Sequence, residues 1–253
     1  MKLTELYSVL EEKFPKALSC EWDNDGLMCA SSLDNEVKKV LCVLDVTDAA
    51  LKYAAENGFD TIISHHPMIF HHIGAVTPEN HISARAVLAI KNDINVFSYH
   101  TRADAVCGGV NDILAKALGL VNIAPFGDSD GDIGRVGELP EETDIHELAK
   151  KVKETLGSQV VNYSVANDEV KKVALLGGAG KSFVSIAKDI GADVFVSGEI
   201  GYSLLTEAPE MGISLIEAGH FFTEEKICGY FGEILDSLGI ENEYYNSNVI
   251  KSI

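Results

Sequence analysis

Positive charge is in short supply in this chain. Twenty lysine and arginine residues stand against 39 aspartate and glutamate among 253, a formal net charge of -19. A field of that sign repels phosphate backbones and anionic headgroups, which argues against nucleic acid and membrane surfaces as partners. A cationic metal centre would be the local exception, able to draw an anionic substrate. Cysteine is scarce too. Cys20, Cys29, Cys42, Cys107 and Cys228 form an odd set without a Cys-x-x-Cys pair, so the expectation is a reduced, cytoplasmic protein whose cysteines serve as small core residues. No apolar run approaches the length that crosses a bilayer. The opening Met1-Lys2-Leu3-Thr4-Glu5 reads as a helix start capped by Thr4 rather than as a signal peptide. Neither a fixed-period repeat nor a low-complexity tract is present.

What the chain does have is apolar content, 46% hydrophobic residues, and it is arranged in alternating short runs. Leu3, Leu6, Tyr7, Leu10 and Phe14 recur at helical spacing. Val40 to Val46, Thr61 to Ser64 and Val96 to Tyr99 read as buried strands, with helices between them and another over Gly109 to Leu118. The Gly- and Asp-rich stretch Asn122 to Gly134 looks like a domain boundary. Beyond it, strands near 135–139, 160–165, 173–176, 194–196 and 213–216 alternate with helices, and a helix over 223–238 precedes a terminal strand. The expected fold is α/β: two domains with mixed, mostly parallel sheets and a metal site in the cleft between them. Residues 1–125 plus about 222–253 would form the first domain and 126–221 the second.

Histidines mark the ends of these strands. Of eight in the chain, four fall between Ser64 and His72. In Ser64-His65-His66-Pro67 the proline ends the ladder, so adjacent imidazoles are able to turn toward one point. From this dipeptide two readings stand: ligands for Zn, Fe, Ni, Co or Mn, or a hydrogen-bonded pair at a strand end. His100 and Asp104 follow another strand, one a candidate ligand and the other a candidate to orient it, although an aspartate there often caps a turn. His220 and Glu224, four apart at a helix start, can converge on one face, or Glu224 can simply suit the helix dipole. All three sets lie at carboxyl ends of strands, where open α/β sheets place their sites, and together they suit two metals rather than one. Leu175 to Ser182 ends like a P-loop, but Leu175 stands where its first glycine belongs. A tight turn is the better reading, with a minor anion-holding role at that helix start as the alternative. His71, His72, His81 and His146 are expected at the surface or as hydrogen-bonding neighbours.

Seven segments taken in order resemble the NIF-three-like family, also described as GTP cyclohydrolase I type 2 homologues. They are Glu-Trp-Asp-Asn-Asp-Gly-Leu (21–27), Ser-His-His-Pro (64–67), His-Thr-Arg-Ala-Asp with Gly-Gly-Val-Asn-Asp (100–112), Gly-Arg-Val-Gly-Glu-Leu (134–139), Gly-Gly-Ala-Gly-Lys-Ser (177–182), Ser-Gly-Glu-Ile (197–200) and Ala-Gly-His-Phe-Phe-Thr-Glu (218–224). The resemblance implies a dinuclear centre on His65, His66, Asp104, His220 and Glu224, and a toroidal homohexamer. It also implies the short form of the family, with no extra domain near 125–135. Arg102-Ala103 and Ser203 depart from the family pattern next to the expected pocket. The leading expectation is a metal-dependent hydrolase acting on a nucleotide or related small molecule, with metal-bound water as nucleophile. No catalytic side chain is assigned, and His100 is expected to support the ligands by hydrogen bonding. The alternative is a non-catalytic metal-binding, metal-carrying or cofactor-assembly protein.

Overall fold

In the computed structural model, residues 1–251 are described, and the elements below are those of the described residues. The chain opens with helix α1 (Leu3–Lys13), strands β1 (Gly26–Cys29) and β2 (Lys39–Val43), helix α2 (Asp48–Glu56) and strand β3 (Thr61–Ser64). Helix α3 (His81–Lys91), strand β4 (Asn95–Ser98) and the short helix α4 (Thr101–Ala105) follow. A second series runs α5 (Val110–Ala117), β5 (Val121–Asp128), β6 (Gly131–Asp144), α6 (Ile145–Leu156), β7 (Asn162–Ser164), β8 (Glu169–Ala179) and α7 (Val184–Asp189). It continues through β9 (Val194–Glu199), α8 (Tyr202–Met211), β10 (Ser214–Glu217) and α9 (His220–Glu224), before α10 (Ile227–Ser237) and β11 (Glu241–Tyr244). Two compact units result: Met1–Ala103 with Ile227–Lys251, and Asp104–Lys226.

The first unit holds a five-stranded sheet in the order β1-β4-β3-β2-β11. Only the β1–β4 pairing is antiparallel; β4–β3, β3–β2 and β2–β11 are parallel. Parallel strands covered on both faces carry continuous apolar runs, and this accounts for Val40 to Val43 being wholly buried. Alternate residues go to opposite faces. Leu41, Val43, Ile62 and Val96 pack with Ala50, Leu51 and Ala54 of α2 and Ala89 of α3. On the other face Phe97 meets Tyr7 of α1 at 5.8 Å between ring centroids, and Phe14 meets Phe231 of α10 at 5.6 Å. The cap of α1 is Lys2 rather than Thr4: the Lys2 amide donates to Glu5 Oε2 at 2.8 Å, so the helix begins two residues earlier.

The second unit holds a six-stranded sheet in the order β5-β6-β8-β9-β10-β7. Here β8–β9 and β9–β10 are parallel, and the remaining pairs antiparallel. Its core also divides by strand alternation. Val173, Leu175, Val194, Val196 and Ile216 face Leu114 of α5 and Leu148 and Val152 of α6. Ala174, Leu176, Phe195 and Leu215 face Val184 and Ala187 of α7 and Ala208 of α8. The Gly/Asp-rich stretch that reads as a boundary is a β5–β6 hairpin inside this sheet, with Asp128 paired to Gly131. Two-residue hairpin turns need glycine and aspartate for the same backbone reasons that linkers use them, so composition does not separate the two. No further domain interrupts the chain there.

Four cysteines are buried as expected, and Cys107 is exposed. Among the described residues no helix is long and apolar enough to cross a membrane.

Candidate metal-ligand clusters

In the first unit, β3 and β4 are parallel neighbours and deliver His65, His66 and His100 past their carboxyl ends. Each of the three offers one nitrogen within 4.8 Å of the others, a spacing at which they could hold a metal ion. Their ring centroids lie 5.1 to 5.8 Å apart. The backbone continues to guide the two adjacent residues after the strand proper ends: His65 N–H donates to the Val43 carbonyl at 3.3 Å and His66 N–H to Leu44 at 3.0 Å.

The imidazoles are oriented by a shared device. His65 Nδ1 lies 2.9 Å from the Tyr99 carbonyl, an atom that can only accept, so Nδ1 carries the proton and the lone pair of the neutral ring is on Nε2. His66 Nδ1 lies 2.8 Å from Asp45 Oδ1 and His100 Nδ1 3.0 Å from Asp23 Oδ1. Asp23 also accepts from the Thr101 amide at 3.0 Å and its hydroxyl at 2.6 Å. Burial alone would raise the Asp23 carboxyl. The bonds from His100 and Thr101 outweigh it and hold the group down at about 2, so this acceptor is ionised at neutral pH.

In the second unit His220 and Glu224 occupy successive turns of α9, with Nε2 to Oε2 at 3.1 Å, while His220 Nδ1 faces Glu199 Oε1 at 3.2 Å. Glu199 ends β9, and the turn after it is held by Glu217, whose carboxylate accepts from the amides of Ile200 and Gly201 at 2.7 and 2.8 Å. The glycine turn that ends β8 is the bed of α9. Gly178 N–H donates to Thr223 Oγ1 at 3.0 Å, and a Cβ added at Gly178 would fall on the Glu224 carboxylate and within 3.1 Å of His220 Nε2. The turn therefore supports α9. Asp104 lies buried in α4 at the first residue of this unit. Behind it, Arg135 donates to the Ala105 carbonyl at 2.7 Å and to Asp112 at 2.8 Å, fixing the end of α4.

The residues the sequence nominates are thus grouped as His65 and His66 with His100 in one unit, and as His220 with Glu224 in the other. Asp45, Asp23 and Glu199, which orient the rings, are not assigned by the sequence reading, and Gly178 appears there only as part of a turn. A signal was present: Asp45 and Glu199 follow or end strands, as the histidines do. Arg102, one of the departures, is buried, its guanidinium bonded to Asp25 at 2.9 Å, Glu11 at 2.8 Å and the Phe14 carbonyl at 2.8 Å. It anchors the 20–26 loop. Ser203 lies in the first turn of α8, and its carbonyl accepts from Thr206. His146 contacts the Tyr163 hydroxyl at the surface, and His71 packs on Phe70 with centroids 4.7 Å apart.

Fold and donor set together define an α/β protein bearing histidine and carboxylate groups that could hold a metal ion. The family model described as Duf34/NIF3 (NGG1p interacting factor 3) matches residues 1–252, and the chain belongs to that family. A GTP cyclohydrolase 1 type 2 homolog of Clostridium perfringens is 35% identical over 230 residues, covering 88% of this chain and 87% of that one. Among solved structures, Staphylococcus aureus protein SA1388 superposes with a TM-score of 0.88 at 25% identity, covering 100% of this chain and 99% of that one. Reduced HcgD from Methanocaldococcus jannaschii gives 0.85 at 30% identity, covering 96% and 97%.

Proposed function

We propose that His65, His66, Asp104, His220 and Glu224 together bind two divalent metal ions, and that the protein is a metal-dependent hydrolase of a nucleotide or related small molecule. The reading is carried by the imidazoles: His65, His66 and His220 each have Nδ1 against an oxygen, the arrangement that directs Nε2 to a metal. The GTP cyclohydrolase 1 type 2 homolog name of its relatives supports a nucleotide as the substrate class. The donor set fits. Three neutral imidazoles and two carboxylates accommodate Zn, Fe, Mn, Co or Ni without selecting among them, and the missing Cβ of Gly178 leaves the Glu224 carboxylate its place.

Bound divalent ions would supply Lewis-acid polarisation of the bond to be hydrolysed. The chain's own part is to fix ring orientation through Asp45, the Tyr99 carbonyl and Glu199, and to offset the cationic charge with Asp104 and Glu224. His100, held by Asp23, orients its neighbours in this reading. We also infer a cytoplasmic protein, from an odd set of cysteines without a Cys-x-x-Cys pair, and a homohexameric ring, from the resemblance to the family.

Elemental analysis of protein purified without chelator should give close to two equivalents of metal, and well under one would sink the dinuclear centre. Metal-loaded protein would then be incubated with GTP and a nucleotide panel and followed by mass spectrometry. Product above that of a His65→Ala/Glu224→Ala control supports the hydrolase. Bound metal with no product above the control leaves a metal-binding, carrier or cofactor-assembly protein. Light scattering that finds a stable monomer at micromolar concentration removes the ring.

A further inference from the structure

Two large aromatic side chains stand exposed beside the first unit's histidines, and nothing above uses them. Trp22 is 53% exposed and Phe70 38%. Their ring centroids are 6.1 Å apart with planes at 67°, and they lie 6.2 and 6.1 Å from the ring of His100, which they meet edge to face. Exposed aromatics on loops are usually loosely held. These two are not.

Trp22 precedes three anchored residues. Asp23 accepts from His100 and Thr101, as above. Asn24 donates its side-chain amide to the Ile69 carbonyl, next to Phe70, and so ties the two loops together. Asp25 is buried against Arg102 at 2.9 Å and takes Lys16 at 2.8 Å. On the other loop, Met68 is buried, and its amide donates to Ser98 Oγ at 3.3 Å. Anchored backbone therefore follows Trp22 and precedes Phe70, and Asp23, which bonds His100, is the residue next to Trp22. A structure that orders exposed aromatic surface in this way presents it for contact.

We propose that Trp22 and Phe70 form a stacking platform for a planar, uncharged heteroaromatic ring, held beside His65, His66 and His100. A planar ring can lie on the exposed face of one aromatic and meet the other at its edge, the two arrangements that aromatic quadrupoles favour. Its exocyclic groups would remain directed at the imidazoles. Glu21, Asp23 and Asp25 on the same loop, within a chain of net charge -19, disfavour an anionic ring. The platform names the part of the substrate that would be recognised, and in that it rests on the proposed nucleotide-like substrate. Ring binding itself does not require metal.

Trp22 is the chain's only tryptophan, so its fluorescence reports contact at this place directly. The full-length protein, its metal content measured, would be titrated with guanosine, adenosine and nicotinamide, and with ribose 5-phosphate as a phosphate-bearing control without an aromatic ring. The expected result is saturable quenching by at least one ring compound and none by the sugar phosphate. Phe70→Leu should raise that Kd by about 5-fold or more, the loss typical of one stacking contact, while Phe70→Tyr should keep it.

The platform is overturned if no ring compound quenches saturably, if ribose 5-phosphate quenches equally, or if Phe70→Leu binds as the parent does. It is also overturned if emission shifts with protein concentration and not with any ring, which would assign the pair to a contact between copies. Quenching in a protein without bound metal keeps the platform and counts against the dinuclear centre. Two equivalents of metal without quenching do the reverse.

Discussion

Gly178 leaves vacant the space that the carboxylate of Glu224 needs, and its backbone sits at φ +64°. Any larger residue there meets both constraints at once. A left-handed backbone costs an L-residue about 1–2 kcal/mol, and the added Cβ displaces a proposed ligand. Gly178→Ala should lower stability to denaturant by about that amount and reduce bound metal. Ala at the exposed Gly229, where an added Cβ meets nothing within 4 Å, serves as the control and should leave metal content unchanged. Undiminished metal content in Gly178→Ala would show that the glycine turn has no part in the proposed metal site.

The bond between Asp45 and His66 holds the ring of a proposed ligand. Removing a carboxylate in this position typically costs about 10- to 100-fold in metal affinity. Asp45→Ala should show a loss of that size in chelator competition, with a circular dichroism spectrum like the parent's. Unchanged affinity would mean that His66 is oriented by the backbone alone.

Stability should also fall with acid through Asp112. Burial raises this carboxyl, but the Arg135 guanidinium and the Gly108 amide outweigh burial and hold it below its usual value of 3.8. A group depressed in the folded state stabilises above its unfolded pKa and loses that contribution as pH falls through the folded one. The wild type should therefore lose stability progressively below about pH 4, and Asp112→Asn should be less stable at neutral pH with a shallower decline in that range. Urea unfolding across pH checks this. Parallel curves for the two proteins would show that Asp112 makes no differential contribution.

Much of the fold was legible because its signals are local. The buried strands at Lys39–Val43, shorter than the Val40 to Val46 run that signals it, and Thr61–Ser64, the helix at Ile145–Leu156 and the histidines at strand ends all follow from apolar period and from chain-breaking residues nearby. The hairpin at Asp128 to Gly131 was harder, since a tight turn and a linker draw on the same residues, and only pairing between β5 and β6 separates them. Strand direction was legible in part. All but one pairing of the first sheet are parallel, while in the second the β6–β8 and β10–β7 pairings are antiparallel, which strand spacing along the chain does not specify.

By itself, then, the sequence determined the α/β character, the histidines at strand ends and the family, because each rests on residue type and order. Tertiary structure decided which oxygen faces each Nδ1. Asp45 lies 21 residues before His66, Asp23 lies 77 before His100, and Glu199 comes from a different strand than the one leading to His220. For Asp45 and Glu199, parallel strands bring their carboxyl ends side by side; Asp23 and Trp22 instead precede β1, whose amino end meets the carboxyl end of β4 because that pair is antiparallel. Residue identity supplies the donors, and strand adjacency points them.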